Sequence, residues 1–372
     1  MAMSVLADQL ANEGLEVHYI PLESPETSPR SIRFHQTGRL IRLYLTVRAG
    51  FPKHVLARFR ETVEKGGPDA SMVLSSLFHR MLARGYESAL SDTNADVYIQ
   101  AVAGAQTAYV ANFCKRNKKP MIFRSTSLWD ADLTFKWGWK TWRDSTKELY
   151  LQGIEQADIV APNSMDTAKA FVEHIEEHRI RFIPDGFHVP PCPDLRREDG
   201  FVLWVGRDVA YKRAWLFADL ARMLPQHQFV MVGDIHSVKD VPANLRLLGP
   251  KRPDGLSQLY SSAKLLVNTS EVEGFPNVLV EGAMYGVPYL SFLDPDGVLK
   301  EYSIGIQPRN LDDMATTIDM LMTTEDRRLA LGRNARRFVE EHRDIEKVVR
   351  QWLGLFEELS MGGQLQTDAA HK

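Results

Sequence analysis

Two glutamates separated by seven residues, Glu273 and Glu281, have the most informative chemistry and spacing in this sequence. They begin and end the run Glu-Gly-Phe-Pro-Asn-Val-Leu-Val-Glu, which follows an apolar segment at 263–268. That apolar segment predicts a buried strand, and the pattern after it predicts a short helix with Pro276 at its first position. We therefore expect both carboxylates at a junction between a strand and a helix, where a polar ligand can reach them.

The start of the predicted helix has the features of an anion-binding site. Gly274 lets the backbone approach a ligand closely. The N–H groups of Asn277, Val278 and Leu279 are predicted to have no partner within the helix, so they can bind phosphate. Glu281 lies one turn further along on the face of Asn277, where its carboxylate can accept two hydrogen bonds from a diol such as a ribose.

Two cations earlier in the sequence suit a ligand with a diphosphate. Arg207 follows a predicted central strand that ends at Gly206, and Lys212 comes after a short loop. Open α/β sheets bind ligands at the carboxyl ends of their strands. We expect both cations to hold the diphosphate and to stabilise its negative charge as it leaves. Arg213 is an alternative to Lys212. Two ordinary surface cations near a helix start would also fit the pattern, but the glutamate pair downstream favours the diphosphate site.

These segments resemble, in order and spacing, family 4 of the retaining glycosyltransferases. The family's Glu-x7-Glu motif is similar to 273–281 down to the Glu-Gly-Phe-Pro-Asn opening, and Ile183-Pro-Asp-Gly186 resembles its linker-proximal motif. The resemblance is specific over residues 157–310 and diffuse before them. It implies an α/β protein of the GT-B type, with two Rossmann-like domains of mostly parallel sheets that face each other across a cleft.

The resemblance also implies an activity: transfer of a sugar from a nucleotide-sugar donor to a hydroxyl of a glycan or other acceptor, with retention of anomeric configuration. It implies that Glu281 binds the ribose and Glu273 the donor sugar, while Arg207 and Lys212 bind the diphosphate. The donor loop around Phe275 completes that site. The leaving phosphate oxygen accepts the acceptor's proton, so no protein base, metal or cofactor is expected, and the nucleotide-sugar is a substrate.

Apolar strand-like runs alternate with helical patterns along the chain, which predicts two α/β domains. Prolines and charges between 189 and 200 mark the boundary. We expect four segments: an acceptor-side domain over 1–190, a nucleotide-sugar-binding domain over 191–341, a helix over 342–360 that packs back on the first domain, and a disordered tail over 361–372.

The beginning of the sequence departs from the family pattern. A helical pattern at 4–13 precedes the first predicted strand at 17–20, where family members begin with a strand and a glycine-rich loop. We therefore expect the first strand of the N-terminal domain to be missing and the apolar edges of 17–20 to be unpaired. A catalytically impaired nucleotide-sugar-binding protein of the same fold is the alternative function.

An aromatic segment at 129–142, after the predicted strand 121–125, contains four of the seven tryptophans. Aromatic faces suit sugar rings or an amphipathic acceptor, but the packing of a long loop explains them equally well. Thr126, Trp129 and Asp130 are the candidate acceptor-side residues, at a place where many family members carry a histidine.

Two metal-binding patterns are weaker. His174 and His178 fit a zinc pattern on a helix and would indicate a metallohydrolase, but a polar helix end before a predicted strand at 180–183 explains them better. Asp294 and Asp296 have the spacing found in metal-dependent glycosyltransferases. They lie among turn residues, so we expect a turn there.

The composition bounds the remaining possibilities. A length of 372 residues suggests two domains, and a net charge of −3 with 25% charged residues is ordinary for a soluble protein without a nucleic-acid partner. The two cysteines form no motif, which fits the cytoplasm. The basic run at 115–119 is typical of the last turn of a helix, so at most peripheral contact with the inner membrane face is expected. The oligomeric state is not indicated.

Overall fold

The computed structural model describes residues 2–13, 15–21, 30–32, 42–47, 67–191 and 193–369. The chain divides into two compact units, Met1–Gly186 with Ile345–Lys372, and Phe187–Asp344. The sequence predicts the corresponding boundaries a few residues away, after 190 and after 341.

The described residues of the first unit form strands β1 (Glu16–Pro21), β2 (Arg30–Ile32), β3 (Arg42–Val47), β4 (Val97–Ala101), β5 (Met121–Ser125) and β6 (Ile159–Pro162). Its helices are α1 (Ala2–Asn12), α2 (Gly67–Thr93), α3 (Gln106–Asn117), α4 (Asp144–Gln156) and α5 (Met165–Val172). The strands form one sheet in the order β2-β1-β3-β4-β5-β6, parallel except for the antiparallel pair β1 and β2.

The expectation of an unpaired edge at 17–20 is wrong. β1 is paired on both sides, with β2 in antiparallel and with β3 in parallel register. β3 lies between β1 and β4, so the sheet has a strand at the place where we expected a gap. The sequence predicts a strand over 40–47, but strand pairing depends on long-range contacts that a local pattern does not contain.

The second unit contains β7 (Phe201–Val205), β8 (Phe229–Val232), β9 (Leu245–Leu248), β10 (Ala263–Asn268), β11 (Tyr289–Ser291) and β12 (Gly305–Ile306). Its helices are α6 (Ala214–Met223), α7 (Pro253–Ser262), α8 (Asn277–Met284), α9 (Val298–Glu301), α10 (Leu311–Thr323) and α11 (Glu325–His342). The strands form a parallel sheet in the order β12-β11-β10-β7-β8-β9.

This strand order creates a topological switch point. The chain builds outward from β7 to β9 and then returns to β10, which lies on the other side of β7. The loops after β7 and β10 therefore leave neighbouring strands in opposite directions, and the crevice between them is where open α/β sheets bind ligands.

The last helix, α12 (Ile345–Ala369), belongs to the first unit. Trp352 is fully buried there, in one core with Ile99, Ile122 and the α1 residue Leu10. Tyr98 and Phe123 point to the opposite face of the sheet, as the two-residue period of a strand requires, and pack among residues of α2 to α5. Helices thus cover both faces of the first sheet.

The predicted disordered tail at 361–372 is helical as far as Ala369, and 370–372 lie outside the described residues. Each further helical residue adds one hydrogen bond to a helix that is already nucleated, so α12 can extend to Ala369. Residues 180–183 are not a strand but an extended segment, in which Arg181 and Ile183 donate backbone hydrogen bonds to β6. Within the part of the chain that is described, no helix is long and apolar enough to cross a membrane.

Candidate functional site

The switch point brings together two of the predicted site residues, Lys212 and Glu273. Lys212 follows β7 and Glu273 follows β10, and the Lys212 Nζ forms an ion pair with the Glu273 Oε1. The two side chains are 18% and 11% exposed, so the pair is largely withdrawn from water but still reachable. A lysine ammonium has three donors, so this pairing leaves capacity for an anionic ligand.

Asn268, the last residue of β10, holds the Glu273 carboxylate in place. Its Nδ2 donates to Glu273 Oε1 at 3.2 Å and to the Tyr289 hydroxyl at 2.5 Å, while its Oδ1 accepts the Ser270 N–H at 2.7 Å. Burial raises the pKa of Tyr289 and the nearby Glu273 charge raises it further, so Tyr289 stays neutral. Sequence reasoning missed Asn268, although a polar residue at the end of a buried strand is a usable signal.

Arg213, the alternative to Lys212, uses its guanidinium to bond backbone carbonyls. Its φ is +51°, and its guanidinium donates to the carbonyl oxygens of Thr269 at 2.7 Å and Ser270 at 3.1 Å. The Thr269 hydroxyl in turn donates to the Lys212 carbonyl at 2.7 Å. Arg213 therefore ties the loop after β7 to the loop after β10, which fixes the backbone that carries Lys212.

Arg207 is exposed and lies beside this pair rather than in it. Its Nη2 donates to the Tyr211 hydroxyl at 3.1 Å, and the Tyr211 carbonyl accepts the Glu271 N–H at 2.8 Å. Its neighbour Asp208 accepts backbone N–H groups of His236 and Ser237 at 2.6 and 2.7 Å. Burial opposes ionisation of Asp208, but hydrogen bonds from Ser237 and His236 outweigh it and lower the pKa.

Glycines let the loops after β7 and β8 pass close to each other. A Cβ on Gly206 would lie 2.7 Å from the Trp204 ring. Gly233 has a φ of +149°, and a Cβ there would lie 2.1 Å from the Gly206 carbonyl oxygen. Only glycine fits this contact, so Gly206 shapes the site through its backbone.

The helix α8 begins one residue later than the sequence predicts. Pro276 is its N-cap, with ψ of 121°, rather than its first helical residue. The Leu279 N–H donates to the Pro276 carbonyl at 3.0 Å, so this group is not available to a ligand. A tight first turn of this kind satisfies one of the groups that a helix start leaves open. Within the described chain, the N–H groups of Asn277 and Val278 have no backbone acceptor.

Glu281 is half-buried in the first turns of α8, and its partner comes from α7. The Tyr260 hydroxyl donates to Glu281 Oε2 at 2.7 Å, and the Tyr260 ring stacks on Tyr285. Burial raises the pKa of Glu281, and the Tyr260 hydrogen bond partly offsets this. One carboxylate oxygen is thus fixed by Tyr260 while the other keeps its acceptor capacity. Nothing in the local sequence pattern indicated Tyr260.

Phe275 points into the core, so it anchors the loop instead of facing a ligand. Its ring lies 3.8 Å from the guanidinium carbon of Arg343 and stacks on Phe338. Gly274, which precedes it, is half-buried and carries no side chain. The predicted donor loop is therefore pinned at Phe275 by residues near the end of the second unit.

The three acceptor-side candidates lie in the first unit and differ in accessibility. Thr126 is exposed directly after β5, and Trp129 is half-buried with its ring edge-on to Trp139. Asp130 is 1% exposed, and its carboxylate accepts from the Ser125 hydroxyl, two backbone N–H groups and the Trp139 indole at 3.1–3.2 Å. Burial raises the pKa of Asp130 to about 6. Asp130 thus holds the loop and does not face an acceptor.

The residues of the two metal patterns lie in different local settings. His174 lies beyond the end of α5 and His178 lies in a short 3₁₀ turn, so one helix does not carry both. Asp294 caps α9 by accepting the Leu299 N–H at 2.7 Å, and Asp296 lies in the predicted turn. No group of three or more potential ligands is arranged for a metal among the residues that the structure describes.

Comparison of the sequence with known proteins finds glycosyltransferases. Residues 193–338 match the family model described as glycosyl transferases group 1. An uncharacterized glycosyltransferase of Haemophilus influenzae is 24% identical over 178 residues, covering 42% of this chain and 49% of the relative. A Campylobacter jejuni GalNAc-alpha-(1->4)-GalNAc-alpha-(1->3)-diNAcBac-PP-undecaprenol alpha-1,4-N-acetyl-D-galactosaminyltransferase is 27% identical over 177 residues, covering 44% and 49%. The matches thus span about half the length of these curated relatives.

Solved structures share the fold over more of the chain. Sucrose-phosphate synthase of Thermosynechococcus elongatus superposes with a TM-score of 0.67 at 18% identity, covering 96% of this chain and 92% of that one. The lipopolysaccharide outer core galactosyltransferase WaaB, in its apo form, gives 0.57 at 16% identity over 86% and 99%. The predicted fold class is confirmed: the chain has the two Rossmann-like domains of GT-B glycosyltransferases, and its segment 193–338 matches glycosyl transferases of group 1.

Proposed function

We propose that this protein transfers a sugar from a nucleotide-sugar donor to an acceptor hydroxyl. The ion pair between Lys212 and Glu273 carries the proposal, because it joins two predicted site residues at the switch point of the sheet, inside the segment that matches the family model. A cation for a diphosphate and a carboxylate for sugar hydroxyls are the groups that such a donor requires.

In this proposal the donor lies across the loops after β7 and β10. Lys212 and the exposed Arg207 bind the diphosphate and stabilise the charge that develops on it. The open N–H groups of Asn277 and Val278 bind phosphate at the start of α8. Glu273 holds the donor sugar, and the oxygen of Glu281 that Tyr260 leaves open accepts from the ribose.

The finer assignments follow the resemblance to family 4. We propose retention of configuration by front-face attack, in which the leaving phosphate oxygen takes the acceptor's proton and no metal is needed. The acceptor is a glycan, and the undecaprenol-linked acceptor in the name of the Campylobacter relative suggests one attached to a lipid. We further propose that the protein acts in the cytoplasm, at the inner face of the membrane.

The test is a turnover assay of the purified chain with a panel of nucleotide-sugars, with the anomer of the product determined by NMR. Glu273→Gln and Lys212→Ala should each lower kcat strongly. The matched control is Glu271→Gln, because Glu271 is an exposed carboxylate only two positions away. Equal activity of all three variants, or an inverted product, would contradict the proposal.

Chelation gives a second arm. Because Lys212 and Arg207 supply positive charge at the diphosphate, EDTA should leave activity nearly unchanged. Activity that disappears in EDTA and returns with manganese would show that a metal performs this role.

A further inference from the structure

A loop of the first unit presents an aromatic side chain to solvent among exposed cations. We call residues 132–143 the tryptophan loop; it follows β5 and the turn that contains Asp130. Trp137 is 47% exposed, and Lys136, Lys140 and Arg143 are exposed as well. The loop's own acidic residue, Asp132, is buried, and the exposed Asp144 that follows the loop pairs with Lys147 at 3.5 Å.

The tryptophan loop is held in one shape by Asp132. Its carboxylate accepts the N–H groups of Trp137 at 2.7 Å and Gly138 at 2.8 Å, and both donors of Thr134. Phe135 and Trp139 have φ values of +55° and +47°. Bulky residues adopt positive φ only where their surroundings impose it, and such strain concentrates at binding sites.

The other aromatic side chains of the loop are used for packing. Trp139 stacks on Trp142 with ring centroids 4.8 Å apart, and its indole N–H donates to Asp130 at 3.1 Å. Phe135 contacts Trp142 and Tyr150. This packing explains the neighbouring rings, but it does not use the solvent-facing part of Trp137.

We infer that the tryptophan loop docks on an anionic lipid bilayer. Trp137 enters the interfacial region, where indole rings are favoured, and Lys136, Lys140 and Arg143 contact headgroup phosphates. Charge complementarity decides for this partner over a neutral glycan, which could stack on one indole but would gain nothing from three cations. The inference does not rest on the transferase proposal, because vesicle binding requires no donor and no turnover.

The chain offers a second basic cluster as a built-in control. The run 115–119 ends α3 just before the amino end of β5, whereas the tryptophan loop follows the carboxyl end of that strand. The two clusters therefore lie toward opposite ends of strand β5. Of the two, the tryptophan loop is the one with an exposed tryptophan.

The experiment is co-sedimentation of the full chain with vesicles of phosphatidylcholine alone or mixed with phosphatidylglycerol. Binding is expected only to the anionic vesicles and should weaken with salt. The double variant Lys136→Ala/Lys140→Ala should bind about 25-fold more weakly, at about fivefold per cation, and Trp137→Ala several-fold more weakly. All altered side chains are exposed, so circular dichroism should show an unchanged fold.

Two matched variants complete the design. Lys115→Ala/Lys118→Ala removes the same charge elsewhere, and Trp215→Ala removes another exposed indole, 41% exposed, from the second unit. Both should bind like the parent chain. No binding of the parent chain to anionic vesicles, an unaltered Trp137→Ala, or equal losses in the controls would each overturn the inference. Displacement of the chain from vesicles by a soluble oligosaccharide would instead identify the loop as a sugar platform.

Discussion

At the scale of single residues, the site is a set of polar groups whose partners already exist. Lys212 and Glu273 neutralise each other, Asn268 orients Glu273, and Tyr260 fixes one oxygen of Glu281. Side chains held in this way lose little conformational entropy when a ligand binds. Less of the interaction free energy is then offset by ordering, so binding is tighter. The geometry is thus pre-organised by neighbours outside the Glu-x7-Glu motif.

Glu281 gives the first prediction. Glu281→Ala should weaken binding of a nucleoside diphosphate by about 1.5–3 kcal/mol, since a ribose diol loses a charged acceptor. Glu271→Ala is the control and should bind normally. Calorimetric titration measures both, and an unaltered affinity in Glu281→Ala would remove the ribose assignment.

The pH dependence of nucleotide binding should follow the same carboxylate. Ionised Glu281 is a stronger acceptor for a diol than the protonated carboxyl, so affinity should fall as pH drops through its raised pKa. The Tyr260 hydrogen bond lowers that pKa, so in Tyr260→Phe the loss of affinity should begin at a higher pH. A coincident pH profile for parent and variant would show that Glu281 does not control binding.

Asp130 gives a prediction about stability. Its pKa is about 6 in the folded protein against an ordinary value of 3.8. Because the folded pKa is the higher one, its contribution to stability is full below the unfolded pKa and is lost as pH rises through the folded pKa. The free energy of unfolding of the parent relative to Asp130→Asn should fall by about 1.4 kcal/mol per pH unit in that window, about 3 kcal/mol in total. Urea titrations followed by tryptophan fluorescence at several pH values measure this; a constant difference would contradict it.

At the scale of elements, the site depends on how closely loops approach each other. The loops after β7 and β8 touch at Gly206 and Gly233, and those after β7 and β10 are tied by Arg213. The contact between the buried Phe275 ring and the Arg343 guanidinium holds the loop around Phe275 against the core. Each connection uses backbone atoms or a core side chain, so these contacts fix the loops that carry the candidate site residues.

Gly233→Ala should disturb this arrangement. The new Cβ would collide with the Gly206 carbonyl oxygen in a region of φ that alanine avoids, so we expect about 1–3 kcal/mol of destabilisation and a shifted Arg207 loop. Gly249→Ala is the control, because a Cβ there meets nothing within 4 Å. Thermal unfolding and nucleotide affinity of both variants test this, and equal behaviour would contradict it.

At the scale of the whole molecule, the chain makes two compact units from three segments. Residues from both ends of the chain, α1 and α12, pack on one face of the first sheet, while the switch point lies wholly in the second unit. We therefore predict that the stability of the first unit and the proposed nucleotide binding by the second are separable properties.

Trp352→Ala tests that separation. Removing a fully buried tryptophan should cost the first unit about 3–5 kcal/mol. Nucleoside diphosphate affinity should remain close to the parent value at a temperature where the variant is folded. Calorimetry with and without nucleotide measures both effects, and a large loss of affinity would show that the units are coupled. Trp215→Ala, which removes an exposed indole, should change neither property.

The sequence by itself determined the α/β class, most strands and the segments around Lys212, Glu273 and Glu281. These follow from local information. Apolar runs must be buried, and the order of residue types predicts where a strand is followed by a helix. The tertiary structure decided the remainder. It inserted β3 between β1 and β4, turned Phe275 into the core and buried Asp130 under its own loop.

It also paired Lys212 with Glu273, bonded Arg213 to backbone carbonyls, and supplied Asn268 and Tyr260 as partners for the two glutamates. The physical reason is the separation in sequence between the residues that interact. Burial and helix starts depend on neighbours a few residues away, whereas strand partners and the direction of a side chain depend on segments far apart in the chain. The Lys212–Glu273 pair joins residues 61 positions apart, so its chemistry could be predicted from the sequence while its contact required the folded sheet.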